Sequence, residues 1–142
     1  MSTSDIDVRQ DHQKKALKTA LIYLLVSLFC AFFGAVYEVF SHEVYSYYMI
    51  YAFAFPLVGG TLVFILIALS NAEGYPGAFA RILYHAGIAI LTMASVLHGV
   101  LDIYGTSNRM LRLYWLLGIV LTVLGAVLII IKLKKRPNTQ TQ

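Results

Sequence analysis

Four apolar segments dominate this sequence, and each is long enough to cross a lipid bilayer as an α-helix. They are Thr19–Phe40, Tyr47–Leu69, Phe79–Ile103 and Leu113–Ile131, and the second and fourth hold no charged residue. The hydrocarbon core of a bilayer, about 30 Å thick, needs about 20 apolar residues of helix. Strands of a transmembrane barrel would alternate polar and apolar residues, which these segments do not. The sequence therefore predicts an all-α integral membrane protein, a four-helix bundle.

Composition excludes two other broad classes. Of the 142 residues, 59% are hydrophobic and 13% are charged, whereas soluble domains carry about 25% charged residues. So much apolar mass fits neither a water-soluble enzyme nor a solvated, disordered chain. The connections between the segments are too short for a separate domain, and no glycine-rich phosphate loop, Cys-x-x-Cys pair or nucleophile elbow occurs. The sequence therefore gives no positive indication of an enzyme.

Basic residues predict the orientation. Four helices place both termini on one side, and that side would carry Arg9, Lys14, Lys15, Lys18, Arg81, Lys132, Lys134, Lys135 and Arg136. The other side would carry only Arg109 and Arg112. By the positive-inside rule both termini are cytoplasmic, with residues 1–18 as an N-terminal tail and residues 132–142 as a basic C-terminal tail. The net charge of +4 then reflects topology and interfacial anchoring, and it does not indicate nucleic-acid binding.

Small residues recur at the spacing that lets membrane helices approach closely. The stripes are Ser27, Ala31 and Ala35; Gly87, Ser95 and Gly99; and Gly118, Thr122 and Ala126. Packing within the bundle or a homodimer face would use such stripes. Pro56 lacks the N–H that would bond to Ala52, and Gly59 and Gly60 follow, so we expect a kink in the second helix.

Two acid–imidazole pairs are the most informative polar residues. Glu38 and His42 are four residues apart at the outer end of the first segment, and His98 and Asp102 are four apart at the outer end of the third. Residues at this spacing share a helix face, and the two pairs lie at similar depth. If the helices bring them together, two carboxylates and two imidazoles surround one small volume. We therefore predict an outer-facing ligand- or ion-binding site formed by these four residues.

Several chemistries fit such a site. Carboxylate and imidazole groups are suitable ligands for a divalent metal such as Zn²⁺, and they could also relay protons. In the simplest alternative they hydrate at the membrane boundary and pair with Arg109 or Arg112. A haem or quinone site would use His98 with His42 or His85. However, His85 and His98 are about 20 Å apart along one helix and cannot face the same partner helix.

Aromatic residues concentrate at the same outer end. They are Tyr37, Tyr45, Tyr47, Tyr48, Tyr51, Tyr104, Tyr114 and Trp115. A belt at the level of the lipid headgroups is the default explanation, and a cavity for an amphipathic or flat ligand is the alternative. His85, four residues after Arg81 near the inner end, is interpreted as an interfacial anchor.

Two segments resemble sequences of small four-span membrane proteins of unknown function from Gram-positive gut bacteria. They are Tyr37–Ser46 (YEVFSHEVYS) and Leu101–Thr106 (LDIYGT), and the similarity runs from the first helix to the fourth. The resemblance implies the same layout in a bacterial plasma membrane, but it supplies no activity, cofactor or site residue.

The predicted function is that of a non-enzymatic ligand- or ion-binding membrane protein, or an accessory subunit of a partner membrane protein. One alternative is a haem- or quinone-linked redox component. A second is a small oligomeric transporter, which ranks last because the middle of the predicted helices is almost purely apolar.

Overall fold

The computed structural model describes residues 3–41, 44–70 and 75–134, and within these ranges the protein is all-α. Its four long helices are α1 (Thr3–Phe40), α2 (Tyr47–Leu69), α3 (Ala78–Ile103) and α4 (Leu111–Lys134). All four are long and apolar enough to cross a membrane. The bounds of α2, α3 and α4 agree closely with those predicted from composition. Helix α1 starts much earlier than predicted, so it already covers most of the segment 1–18.

The helices pack in chain order. Helix α1 packs against α2, α2 against α3, and α3 against α4, and the first and last pairs are in more extensive contact than the middle pair. Within the described residues, no backbone contact joins α1 to α3 or to α4. The bundle is therefore an open row of neighbours, and α1 and α4 leave much of their apolar surface exposed.

The two ends of the bundle differ in chemistry. The start of α1, the end of α2, the start of α3 and the end of α4 form what we call the basic end, which carries Lys14, Lys15, Lys18, Arg81 and Lys132. The opposite end, here the aromatic end, carries Tyr48, Tyr104, Tyr114 and Trp115. At the basic end, the Gln13 side chain donates a hydrogen bond to the Ala68 carbonyl oxygen at 3.1 Å. This bond ties the first part of α1 to the last turn of α2.

Helix α2 changes its winding near Pro56, where the sequence predicts a kink. An α-helical turn (Tyr47–Ile50) leads into a 3₁₀ turn (Tyr51–Phe53), a π-helical stretch (Phe55–Leu62) and a final α-helical part (Val63–Leu69). Proline cannot donate a backbone hydrogen bond, so the regular α-helical bonding is interrupted at its position. The departure from α-helix therefore lies where the missing N–H requires it.

Side-chain hydroxyl groups bind the backbone carbonyls of this irregular helix. Four of them donate hydrogen bonds: Ser27 to Phe53 (3.1 Å), Ser95 to Tyr48 (2.6 Å), Tyr84 to Gly59 (2.6 Å) and Thr61 to Pro56 (3.5 Å). A carbonyl without a donor is costly in hydrocarbon, where no water replaces the missing bond. The neighbouring helices α1 and α3 thus stabilise the winding of α2.

Two of the small-residue stripes pack within the chain. A Cβ atom added at Gly87 of α3 would lie 2.8 Å from the Cα atom of Thr122 of α4. One added at Gly118 of α4 would lie 2.8 Å from the side chain of Leu91. These positions therefore let α3 and α4 approach closely. In the third stripe Ser27 is buried, whereas Ala31 and Ala35 are exposed.

Candidate functional site

His98 is the centre of an aromatic cluster at the aromatic end. Its ring stacks on that of Tyr48, with centroids 3.8 Å apart and planes 6° from parallel. The indole Nε1–H of Trp115 donates a hydrogen bond to His98 Nδ1 at 3.3 Å. Trp115 also meets the rings of Tyr48 and Phe55 edge-on, with centroids 6.3 and 5.6 Å away. Three helices, α2, α3 and α4, therefore hold this imidazole in one orientation.

The first turn of α2 places Tyr48 against His98. Met49, which is 1% exposed, lies between Gly34 of α1 and Gly99 of α3. A Cβ atom at Gly34 would be 3.2 Å from the Met49 carbonyl oxygen, and one at Gly99 would be 2.8 Å from its backbone nitrogen. Close packing on both sides thus fixes the position of this turn. The hydrogen bond from Ser95 to the Tyr48 carbonyl oxygen adds a polar contact.

Asp102, one helical turn beyond His98, is held by the residue that precedes α2. The buried hydroxyl of Ser46 donates a hydrogen bond to Asp102 Oδ2 at 2.8 Å, while the Asp102 side chain remains exposed. The end of α3 is closed by backbone bonds from Gly105 to Asp102 (3.1 Å) and from Thr106 to Leu101 (2.9 Å). This pair of bonds is a Schellman motif, and Gly105 has the positive φ of 68° that the motif needs. His98 and Asp102 therefore share the face of α3 that meets the start of α2.

Glu38 lies on the other side of α2. It follows Gly34 by one helical turn, so it shares the face of α1 that packs against the start of α2. Its Oε1 atom is buried and has no hydrogen-bond partner among the residues that the structure describes. No hydrogen bond joins Glu38 to His98 or Asp102 among the described residues, and Met49 lies between α1 and α3 at this depth. The fourth predicted site residue, His42, lies outside the described residues.

The part of the chain that the structure describes contains no group of three or more histidine, cysteine, aspartate or glutamate side chains placed to hold a metal ion. The two histidines of the haem alternative belong to separate clusters. His98 contacts Tyr48 and Trp115, whereas His85 contacts Tyr23 and Phe64. The structure therefore does not bring these two rings together.

His85 belongs to a second polar cluster, which the sequence did not indicate. The Tyr23 hydroxyl of α1 and His85 Nδ1 of α3 are 2.6 Å apart in a hydrogen bond. The His85 ring stacks on Phe64 with centroids 5.2 Å apart, and Phe64 is fully buried. The half-buried His85 thus packs against the core residue Phe64 and is not merely an interfacial anchor. The available signal in the sequence was a polar side chain within each of two apolar segments, Tyr23 in the first and His85 in the third. Polar side chains within membrane spans usually pair with other polar groups, so such a pair could have been predicted.

The residues of the predicted aromatic belt differ in their contacts. Tyr48, although 41% exposed, and Trp115 form the His98 cluster, and Tyr37 packs against Phe33 within α1. The exposed residues outside the His98 cluster are Tyr45, Tyr47, Tyr51, Tyr104 and Tyr114. The sequence could not make this distinction, because it depends on which aromatic faces α3 and which faces outward.

The His98 cluster offers complementary hydrogen-bonding groups beside a flat apolar wall. Because Nδ1 accepts the bond from Trp115, a neutral His98 carries its hydrogen on Nε2 and can donate it. The Asp102 carboxylate, one turn away, can accept a bond. Comparisons of the chain with protein-family models, with curated proteins and with solved structures find no match.

Proposed function

We propose that the protein is a non-enzymatic, multi-pass membrane protein that binds a small, flat, amphipathic molecule at the aromatic end. The observation that carries this proposal is the orientation of His98, whose ring is stacked on Tyr48 and bonded by Trp115. Binding pockets for small molecules typically combine apolar and aromatic walls with a few fixed polar groups. A preorganised imidazole of this kind needs no further ordering when a ligand binds.

The ligand class follows from the polar groups. His98 Nε2–H would donate to a carbonyl or ether oxygen, and the Asp102 carboxylate would accept from a hydroxyl or amino group. Tyr48 and Trp115 would contact a planar apolar body. The unpartnered Oε1 of Glu38 is a further acceptor on the opposite side of α2.

We place both termini in the cytoplasm of a bacterial cell and the aromatic end on the outer side of its plasma membrane. The positive-inside rule supports this orientation, because the basic end carries most of the lysine and arginine residues. The exposed apolar faces of α1 and α4 fit contact with lipid or with a partner subunit, in line with an accessory role.

The test uses Trp115, the only tryptophan in the chain, as a reporter inside the proposed site. Purified protein in detergent is titrated with menadione, a flat quinone, and the tryptophan fluorescence is recorded. The carbonyl oxygens of menadione can accept a hydrogen bond from His98, and it has no group that donates to Asp102, so the titration tests His98 and the aromatic wall. We expect saturable quenching, with at least tenfold weaker apparent affinity in His98→Ala and Tyr48→Ala. Tyr45→Ala is the matched control, because Tyr45 is an exposed tyrosine outside the cluster. Quenching that never saturates, or that is equal in all variants, would contradict the proposal.

A zinc titration separates the ion-binding alternative from this proposal. If zinc binds saturably, if Glu38→Ala and Asp102→Ala abolish this binding, and if menadione quenching does not saturate, then the site binds an ion and the flat-ligand proposal is wrong. We rank the haem site formed by His85 and His98 lower because these two residues lie in separate clusters. The transporter ranks last because the polar groups of Ser27, Ser95 and Tyr84 are used to bind the backbone of α2.

A further inference from the structure

A second candidate site lies at the basic end, around Tyr75 and Arg81. Arg81, in the first turns of α3, places its guanidinium carbon 4.5 Å from the centroid of the Tyr75 ring. Among the described residues its buried Nε atom has no hydrogen-bond acceptor, and no carboxylate pairs with it. A buried guanidinium N–H without an acceptor is unfavourable, and a guanidinium without a carboxylate partner keeps its charge, so the arrangement favours an anionic acceptor from beyond the described residues.

His12 of α1 borders the same tyrosine. Its ring is nearly parallel to that of Tyr75, with an interplanar angle of 3° and centroids 6.1 Å apart. Its Nδ1 atom is also buried, with no hydrogen-bond partner in the described part of the chain. The Tyr75 hydroxyl lies 3.3 Å from Thr19 Oγ1, which ties the segment before α3 to α1. Two unpartnered nitrogen atoms therefore lie beside one ring that α1 holds in place.

Lys132 of α4 brings a third nitrogen to this region. Its ammonium group occupies the space that a side chain at Gly77 would need. Gly77 directly precedes α3, and its carbonyl oxygen accepts a hydrogen bond from the backbone nitrogen of Arg81 at 3.1 Å. The first turn of α3 holds no acidic residue, so its backbone N–H groups add to the positive potential. Three different helices thus present positive or donating groups beside the short segment 75–77 that precedes α3.

We propose that this site, formed by Arg81, His12 and Lys132, binds the phosphate group of an anionic phospholipid. Arginine presents N–H groups in a fork that matches phosphate oxygens, and lysine adds a point charge. The exposed residues Lys14, Lys15 and Lys18 of α1 add to the attraction of the inner leaflet for this end of the bundle. The proposal depends on the membrane location proposed above but not on the ligand site at the aromatic end.

The experiment measures lipid retention on the full chain. Protein purified in detergent is supplied with phosphatidylglycerol, and bound lipid is counted by native mass spectrometry. We expect one retained phosphatidylglycerol per chain, with at least tenfold weaker affinity in Arg81→Gln. Lys134→Gln is the control that removes the same charge from an exposed lysine at the same end. Lys132→Gln is a second test variant, which gives an answer even if Arg81→Gln does not fold.

The remaining measurements distinguish a specific lipid headgroup from an unspecific lipid shell and from free phosphate. Phosphatidylcholine retained as well as phosphatidylglycerol would indicate an unspecific lipid shell and would overturn the proposal. Equal weakening by Lys134→Gln and Arg81→Gln would indicate general charge attraction, with the same consequence. If no phosphatidylglycerol is retained and inorganic phosphate binds saturably in a way that Arg81→Gln weakens, the site belongs to free phosphate and the headgroup proposal is wrong. Menadione quenching of Trp115 is recorded on the same variants, so failure at one end is distinguished from failure at the other.

Discussion

Tyr84 of α3 donates a hydrogen bond of 2.6 Å to the carbonyl oxygen of Gly59 in the π-helical stretch of α2. Tyr84 is only 5% exposed, so no water can replace it as donor without opening the helix interface. The hydroxyl of one core tyrosine therefore stabilises the irregular backbone of the neighbouring helix.

We expect Tyr84→Phe to destabilise the protein by about 1 kcal/mol, because it removes a buried hydrogen bond and keeps the ring. The measurement is the free energy of unfolding in mixed micelles of a mild detergent and sodium dodecyl sulfate. Tyr114→Phe is the control, because the Tyr114 side chain is exposed and makes no hydrogen bond among the described residues. If the two variants were equally stable, the hydrogen bond from Tyr84 to the Gly59 carbonyl oxygen would make no measurable contribution to stability.

The Gly87 contact predicts a strong response to a larger side chain. A Cβ atom there would meet the backbone of Thr122, which cannot move without displacing α4. We expect Gly87→Val to destabilise the protein by about 1–3 kcal/mol through overpacking. Ala89→Val introduces the same residue at an exposed position of the same helix. Thermal unfolding in detergent compares the two variants. If both lose the same stability, the effect of valine comes from its lower helix propensity and not from overpacking at the α3–α4 interface.

Gly105 allows a test of the turn that closes α3. Its φ of 68° is left-handed, and a Cβ atom would meet nothing within 4 Å. Gly105→Ala should therefore cost about 1–2 kcal/mol of stability through the backbone alone. Gly105→Asn should cost less, because asparagine tolerates this conformation better than alanine. If both variants are as stable as the wild type in thermal unfolding, the Schellman motif does not contribute to stability.

The bond between Tyr23 and His85 links α1 to α3 across helices whose backbones do not touch. We expect a double-mutant cycle with Tyr23→Phe and His85→Phe to give a coupling energy of about 1 kcal/mol, because both variants keep an aromatic ring. The cycle is measured as the free energy of unfolding in mixed micelles. Additive effects would mean that the hydroxyl and the imidazole do not interact in the detergent-solubilised protein.

The helices were predictable because an apolar stretch of bilayer length has few alternatives to a helix. The bounds of α2 and α3 follow from composition and from the turn residues around them. The start of α1 was not predictable in this way, because the polar residues before Thr19 give no apolar signal. The position of the irregularity near Pro56 followed from its missing N–H, but the hydroxyl groups that bind the freed carbonyls belong to other helices.

The candidate site was predictable only in part. The spacing of His98 and Asp102 places them on one face of α3, and this relationship holds in the structure. The partners Tyr48, Trp115 and Ser46 come from other elements, and helical periodicity within α3 cannot identify them. The predicted convergence of the Glu38 pair with the His98 pair depended on α1 and α3 being direct neighbours. The buried side chain of Met49 lies between those helices at this depth.

The packing of the helices in chain order has a consequence for biogenesis. Each helix from α2 onward has backbone contacts with the helix synthesised just before it, so assembly in the membrane can proceed during translation without rearrangement of earlier parts. Helix α4 is the last to be inserted. Among the described helices its backbone contacts only α3, so much of its surface stays exposed. A nascent chain released after α3 would therefore keep the backbone contacts among its first three helices and lose those that α4 makes with α3.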